Sequence, residues 1–355
     1  MRKLVIEKAA VKQNLTVIKE RAGGAAIYGV LSGNGGGVGA AALARLLRDE
    51  GIGRFAVTEV SEAEALRKAG FEDEEILMLR ATTDREELER LVDLNVVCTV
   101  SSVDTGMALN ALAENRSTVA EAHIQIDTGM GYGGFLVGEP EKILLAYRSL
   151  PNVALSGIYT QLHAVRPSDP EIGTQLKLFQ QVIDTIHRAG FETGMVHAAG
   201  SYTLLHDEQA RFDGVRAGSA IMGRCRRTRD DRLKTVGYGE AALSEVRWLP
   251  KGHTVGWNRA LVLKKPTRVA VLPVGFQNGY GQVRPREGGF WTMFRAWRKA
   301  GSRTVRVGDR RARLLGPIGA TETLLDVTDI RCSAGDLVTF EMDPLFARDF
   351  TVELR

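Results

Sequence analysis

The first two thirds of the chain alternate short apolar runs with longer segments in which apolar residues recur at helical spacing. Apolar runs predict buried strands, and repetition at i, i+3 and i+4 predicts helices with one buried face. The predicted strands are residues 25–31, 55–58, 75–79, 96–100, 121–126, 153–159, 193–196 and 212–215. The predicted helices are residues 40–50, 61–69, 85–94, 105–114, 141–150 and 174–189. Eight strands alternating with helices predict an α/β fold, a closed (β/α)8 TIM-like barrel rather than an open sheet.

The pattern changes near Arg224, after which helical spacing is nearly absent. Turn signals separate short apolar runs at residues 260–263, 267–272, 302–307, 311–315, 324–327 and 337–341. We therefore expect a barrel over residues 1–224 and a C-terminal, mainly antiparallel β domain over 225–355, with residues 1–7 as candidates to pair with the β domain.

Residues 289–299 contain four aromatic side chains. Domain packing is favoured for them over a ligand clamp, because aromatic clusters usually belong to a core.

Composition limits the class of protein. The chain has 355 residues, of which 44% are hydrophobic and 25% charged, and this is ordinary globular composition. No apolar run approaches the length of a membrane span, and the charged N-terminus is unlike a signal peptide. Three scattered cysteines lack metal-site spacing and predict a reduced, cytoplasmic protein without a metal. A net charge of +4 does not indicate nucleic-acid binding, and the arginine run at 224–232 is interpreted as a solvated linker rather than a polyanion site.

The glycine-rich segment 29–39, Gly-Val-Leu-Ser-Gly-Asn-Gly-Gly-Gly-Val-Gly, has the form of a strand end that enters a loop and then a helix. It resembles the cofactor-lysine segment of alanine racemases, Val-Lys-Ala-Asn-Ala-Tyr-Gly-His-Gly. Five further motifs resemble this family in the same order along essentially the whole chain. They are Asp-Thr-Gly-Met-Gly-Tyr-Gly-Gly at 127–134, His-Ala-Ala-Gly-Ser at 197–201, Val-Arg-Ala-Gly-Ser-Ala-Ile-Met-Gly at 215–223, Val-Gly-Phe-Gln-Asn-Gly-Tyr at 274–280 and Leu-Asp-Val-Thr-Asp at 325–329.

The resemblance implies a racemase that uses pyridoxal phosphate (PLP) and two bases, in a homodimer whose sites contain both subunits. The position of the PLP lysine is occupied by Ser32, and that of the tyrosine base by Trp257. A serine cannot form an imine with an aldehyde, because only an amine can. Indole has no proton to exchange at neutral pH. We therefore expect no standard PLP racemisation and no covalently bound cofactor.

Other family positions also differ. The residues at these positions are Gly36 for the phosphate-contacting tyrosine, Tyr132 for the substrate arginine, Gln125 for the carbamylated lysine, Gln161 for an imidazole, and Ile318 to Thr321 for the substrate loop. By resemblance, the phosphate-binding positions map to Ser201, Gly218 and Ser219, and the arginine that meets the pyridine nitrogen maps to Arg216. Exposed amides with a permanent cation suit a phosphate or carboxylate. We expect these residues to bind a small anion, or PLP without a covalent bond.

Three functions remain open at this point. The first is a dimeric scaffold that binds a small anionic metabolite or a partner. The second is an enzyme with new chemistry in the barrel. The third is an alanine racemase, or another isomerase or lyase, with a rearranged PLP site. Asp127, His163 and His197 are the candidates for acid–base chemistry. A structural role is favoured for Asp127 and His197, because no metal or triad spacing accompanies them. The five glycines of residues 32–39 suggest an anion-binding backbone, although a loop relaxed to small residues is favoured.

Overall fold

The computed structural model describes residues 1–163, 170–225, 231–256, 259–283 and 304–355. Trp257, the segment 289–299 and the arginines at 226, 227 and 229 lie outside these residues. The chain divides into two compact units. One consists of Ala9–Val236, and the other combines Met1–Lys8 with Gly237–Arg355.

The unit Ala9–Val236 is built around parallel strands in the order β4-β3-β2-β10-β9-β8-β6-β5. Their bounds are β2 (Ala26–Val30), β3 (Arg54–Val57), β4 (Glu75–Met78), β5 (Cys98–Val100), β6 (Ala120–Asp127), β8 (Val153–Thr160), β9 (Met195–Ala199) and β10 (Gly214–Ala217), with the short β7 (Phe135–Leu136) beside β6. A parallel bridge between Leu77 and Val97 joins the two ends of this order. The predicted TIM-like barrel is confirmed.

Helices follow most strands. They are α1 (Lys8–Ala22), α2 (Ser32–Gly36), α3 (Ala40–Asp49), α4 (Val60–Lys68), α5 (Arg85–Asp93), α6 (Val103–Asn115), α7 (Pro140–Ser149), α8 (Pro170–Arg188) and α9 (Ser201–His206). Caps explain several starts: Asp84 accepts the amide of Glu87 at 2.9 Å, and Ser102 accepts that of Thr105 at 3.2 Å. The six predicted helices correspond to α3–α8, whereas α1 and α9 were not predicted and the short α2 falls in the predicted glycine-rich loop.

The barrel core is apolar around its circumference, with Tyr28, Ala56, Leu77 and Val97 in one buried cluster. Parallel strands that are covered on both faces are expected to be apolar. Against this background, three basic side chains are buried in the same sheet: His123, His197 and Arg216. Buried polar groups need partners, and these define the site described below.

The second unit is a mainly antiparallel sheet in the order β12-β15-β18-β17-β16-β19-β11-β1-β20, which confirms the predicted β domain. The strands are β1 (Arg2–Ile6), β11 (Tyr238–Ala242), β12 (Glu245–Leu249), β15 (Thr267–Leu272), β16 (Thr304–Val307), β17 (Arg310–Leu314), β18 (Thr323–Asp326), β19 (Leu337–Glu341) and β20 (Thr351–Leu354), with a hairpin of β13 (Thr254–Val255) and β14 (Leu261–Val262). Strand β1 pairs antiparallel with β11 and parallel with β20. Among the helices described, none combines the length and apolarity that a bilayer span requires.

Candidate functional site

The candidate residues lie on neighbouring barrel strands. Asp127 ends β6, His197 lies on β9, Arg216 lies on β10, and Gln161 directly follows β8. Parallel strands present their carboxyl ends at one mouth of a barrel, where side chains from several strands can meet.

Arg216 is the centre of this arrangement and is only 3% exposed. Its guanidinium donates to the carbonyl oxygen of Thr160 at 2.7 Å, to Gln161 Oε1 at 3.1 Å and to His197 Nδ1 at 2.6 Å. A further bond reaches the carbonyl oxygen of Ala198 at 3.2 Å. Burial lowers the pKa of Arg216 to about 10, so the group stays charged at neutral pH. No carboxylate of the described residues pairs with it, and its charge is therefore uncompensated by an anion.

The bond from Arg216 determines the proton positions of two histidines. Arginine has no acceptor, so His197 Nδ1 must accept and its proton must be on Nε2. That Nε2 lies 2.9 Å from His123 Nδ1, which is consequently an acceptor as well. Burial lowers the pKa of both histidines, that of His123 to about 4. Both rings are neutral at pH 7 and form one chain of hydrogen bonds with Arg216.

Aromatic side chains hold the central ring of this chain. His197 stacks on Tyr28 at 5.3 Å and on Tyr159 at 5.0 Å between ring centroids. The hydroxyl of Tyr159 is anchored by Thr99 Oγ1 at 3.0 Å, and that of Tyr28 donates to Glu75. Because two tyrosine rings stack on the imidazole, the structural role favoured for His197 has a direct physical basis.

Ser201 joins the turn that follows β10. Its Oγ accepts the amides of Gly218 at 2.9 Å and of Ala220 at 3.2 Å. A hydroxyl oxygen has two lone pairs and one proton, so these bonds leave the proton of Ser201 to donate outward. Within the described residues neither this proton nor the intervening amide of Ser219 has a protein acceptor. A Cβ on Gly218 would come within 3.1 Å of Val30 Cβ, which places this turn against the end of β2.

Strand β2 leads into Ser32 and the glycine-rich loop. The backbone of Gly33, Asn34, Gly35 and Gly36 is left-handed, with φ between 54° and 69°, which favours glycine. The amide of Asn34 donates to the Glu62 carboxylate at 2.7 Å. That carboxylate is 5% exposed and also accepts the amides of Thr58 and Glu59. The protein's own carboxylate therefore occupies this part of the loop.

The other acid–base candidates are placed separately. The Asp127 carboxylate accepts the amides of Gly129 at 2.9 Å and Met130 at 2.8 Å, and so shapes its own loop. The following Tyr132 is 83% exposed. The amide of His163 donates to Gln175 Oε1 at 3.1 Å. Across the described ranges, no hydrogen bond joins Asp127 or His163 to His197.

Several residues of the site were not among the predicted candidates. His123, Gln125 and Asp127 are spaced two residues apart along β6 and therefore share one face of the strand. This spacing indicates the inward position of His123. Glu59 and Glu62, three residues apart at the start of α4, form a capping box. This spacing is also recognisable in the sequence. The side-chain amide of Gln175 donates to Thr128 Oγ1 at 3.0 Å, next to Asp127 at the end of β6. Nothing in the sequence indicated this role except the position of Gln175 on a helix.

Comparisons with known proteins agree with this architecture. The family model described as "Alanine racemase, N-terminal domain" matches residues 6–225, and that described as "Alanine racemase, C-terminal domain" matches residues 236–345. The alanine racemase of Carboxydothermus hydrogenoformans is 31% identical over 299 residues, 82% of this chain and 80% of that protein. That of Methanococcus maripaludis is 25% identical over 98% of this chain and 90% of its own length.

Solved structures show the same fold. The alanine racemase of Clostridium difficile 630 superimposes with a TM-score of 0.83 at 22% identity, covering 96% of this chain and 86% of its own. The structure from Bartonella henselae, with covalently bound pyridoxal phosphate, has a TM-score of 0.81 at 20% identity and covers 100% of this chain and 99% of its own. Since the two family models together span most of the sequence, the chain belongs to the alanine racemase family.

Proposed function

We propose that this member of the family binds a small anionic molecule, with a phosphate or carboxylate group, at the barrel mouth and does not racemise amino acids through an imine on its own chain. The observation that carries the proposal is the buried, uncompensated charge of Arg216. A buried cation without an anion is costly, because hydrogen bonds to neutral oxygens do not replace an opposite charge. An anionic ligand would lower that cost.

Two hydrogen-bond donors at the barrel mouth support the same proposal. The hydroxyl of Ser201 and the amide of Ser219 both lie at the turn after β10, and neither donates its proton to an acceptor within the described residues. Phosphate oxygens accept several such bonds at once, and fixed backbone amides are favourable partners for them. The corner formed by Ser201, Arg216, Gly218 and Ser219 thus suits the phosphate end of a ligand.

Only part of this site fits PLP, the cofactor bound covalently in the Bartonella henselae structure. The corner at Ser201 and Ser219 fits the phosphate. Ser32 does not fit the aldehyde, because its hydroxyl cannot supply the nitrogen of an imine. PLP in this pocket would be held without a covalent bond, with its phosphate at Ser201 and Ser219, and no chemical step on the cofactor follows from these residues.

The test is a titration of purified protein with inorganic phosphate and with PLP. Calorimetry should show binding in the wild type and a weaker response in Arg216→Met. The PLP-loaded wild type should lack an imine absorbance band, and borohydride should attach no cofactor mass to the chain. Ser32→Lys should acquire both signals. An imine band in the wild type that borohydride fixes would overturn the proposal.

A second candidate is an amino-acid racemase, or another isomerase or lyase, with a rearranged site that uses PLP. The family match favours it, since the relatives compared above are named alanine racemases. It predicts interconversion of D- and L-alanine with added PLP. Turnover in the wild type above that of Ser32→Ala would establish this candidate in place of the first.

We also propose that the protein is a homodimer. The support is family membership, with the implication that sites in this family contain both subunits. Light scattering after size-exclusion chromatography should give twice the chain mass of 38.7 kDa, and a mass of one chain would contradict it.

A further inference from the structure

We infer that the side-chain amide of Gln161 is a ligand-binding donor, which completes a phosphate-binding corner together with Ser201 and Ser219. This inference rests on the proposed function and adds a residue and a chemical class to it. Gln161 directly follows β8, is half-buried, and lies at the same strand ends as Arg216.

The orientation of the Gln161 amide follows from its partner. An Arg216 nitrogen lies 3.1 Å from Gln161 Oε1. All guanidinium nitrogens donate, so only the oxygen of the amide can face Arg216. The NH2 group must therefore point to the other side. Arg216 is itself fixed by carbonyl oxygens of Thr160 and Ala198, so this orientation has a rigid support.

The NH2 group lies beside the phosphate corner. A Cβ on Gly200 would come within 3.5 Å of Gln161 Nε2. Gly200 directly precedes Ser201, whose Oγ accepts the amides of the turn after β10. The two N–H groups of Gln161 Nε2 donate to no atom of the described residues. They add two neutral donors beside Gly200, the residue that directly precedes Ser201.

The donor set indicates a phosphate group rather than a carboxylate. Four N–H or O–H donors come from Gln161, Ser201 and Ser219. The three terminal oxygens of a phosphate are arranged tetrahedrally and can accept donors from several elements, whereas the two oxygens of a carboxylate accept mainly in one plane. The charge of Arg216 lies behind the Gln161 amide and polarises it, since its N–H donates to the amide oxygen. Inorganic phosphate and the phosphate of PLP share this chemistry.

Gln161→Glu removes the donor and places a negative charge beside Arg216. It keeps an oxygen for Arg216 and exchanges only the NH2 group for a second oxygen of negative charge. We expect inorganic phosphate and PLP to bind at least about tenfold more weakly, because a charge-assisted hydrogen bond is lost and repulsion is gained. The unfolding midpoint of the unliganded variant should rise, because Arg216 gains an ion-pair partner. Gln209→Glu, an exposed position, makes the same charge change and should leave both affinities within about twofold.

A second measurement does not depend on that variant. In ¹⁵N-labelled wild type, the side-chain amide signal that Gln161→Glu removes should shift when phosphate is added. Unchanged affinity in Gln161→Glu, equal weakening in Gln209→Glu, or an amide signal that does not move would overturn the inference while phosphate binding by the wild type stands. A wild type that binds neither probe would instead overturn the proposed function, and the inference with it.

Discussion

Acid should destabilise this protein through His123, and the substitution His123→Asn should remove that effect. His123 is 2% exposed and accepts the Nε2 proton of His197. Protonating His123 would place two N–H groups against each other across 2.9 Å. Burial lowers its pKa to about 4, the charge of Arg216 adds to this, and Glu75 opposes it.

The magnitude follows from the two protonation states. An unfolded histidine has a pKa of about 6.5, so the difference of roughly 2.5 units corresponds to about 3 kcal/mol. Above pH 6.5 both states are neutral and the native state keeps its full stability. As the pH falls, the unfolded chain takes up the proton first, so the free energy of unfolding decreases until the folded pKa near 4 is reached. Between pH 7 and 4.5 the loss from His123 is about 2.5 kcal/mol.

Urea unfolding at these two pH values measures the effect in the wild type and in His123→Asn. Asparagine places its oxygen near the position of Nδ1, so it keeps the acceptor for His197 but cannot be protonated. The wild type should lose about 2.5 kcal/mol more than the variant, since the carboxylates common to both cancel. His253→Asn, at an exposed position, should behave like the wild type. Equal losses in the wild type and in His123→Asn would refute the assignment of a buried neutral histidine.

Two further substitutions test the loop and the barrel interior. Glu62→Gln should reduce the free energy of unfolding by about 2 kcal/mol, because its NH2 group would face backbone amides whose hydrogen bonds the carboxylate now accepts. The control Glu64→Gln, at the surface, should reduce it by less than about 0.5 kcal/mol. Gly157→Ala should reduce the free energy of unfolding by about 1–3 kcal/mol, because a Cβ there would lie 2.5 Å from His123 Nε2. In the control Gly173→Ala on α8, the new Cβ meets no atom within 4 Å, so this variant should be slightly more stable than the wild type. Urea midpoints check both pairs, and equal effects within either pair would contradict its explanation.

Local patterns were sufficient for most of the fold. The eight barrel strands and helices α3–α8 were predictable because their apolar residues repeat with the period of the element. Helix α1 was missed although Val11, Leu15 and Ile18 lie on one face, because β-branched residues and the buried Asn14 weaken its helical character. Strand β20, the parallel neighbour of β1, shows little burial and therefore little apolar pattern.

The site was less predictable, because its chemistry depends on which groups already have partners. The positions of Arg216 and Ser201 followed from the motifs. The sequence did not show that the Asp127 carboxylate is used by its own loop, or that Glu62 occupies the amide of Asn34. Nor did it show the direction of the Gln161 amide, which depends on a residue 55 positions away on another strand.

The state of Arg216 connects these observations. Its guanidinium has hydrogen-bond partners, but they are carbonyl oxygens, an amide oxygen and a neutral imidazole, which carry only partial negative charge. Hydrogen bonding is thus satisfied while the full positive charge is not balanced, and in a poorly polarisable interior that imbalance persists over several ångströms. An anion at Ser201 and Ser219 would balance it without displacing any of these bonds. Ser32 takes no part in this balance, so the absence of an imine-forming amine at residue 32 leaves the electrostatic case for an anionic ligand intact.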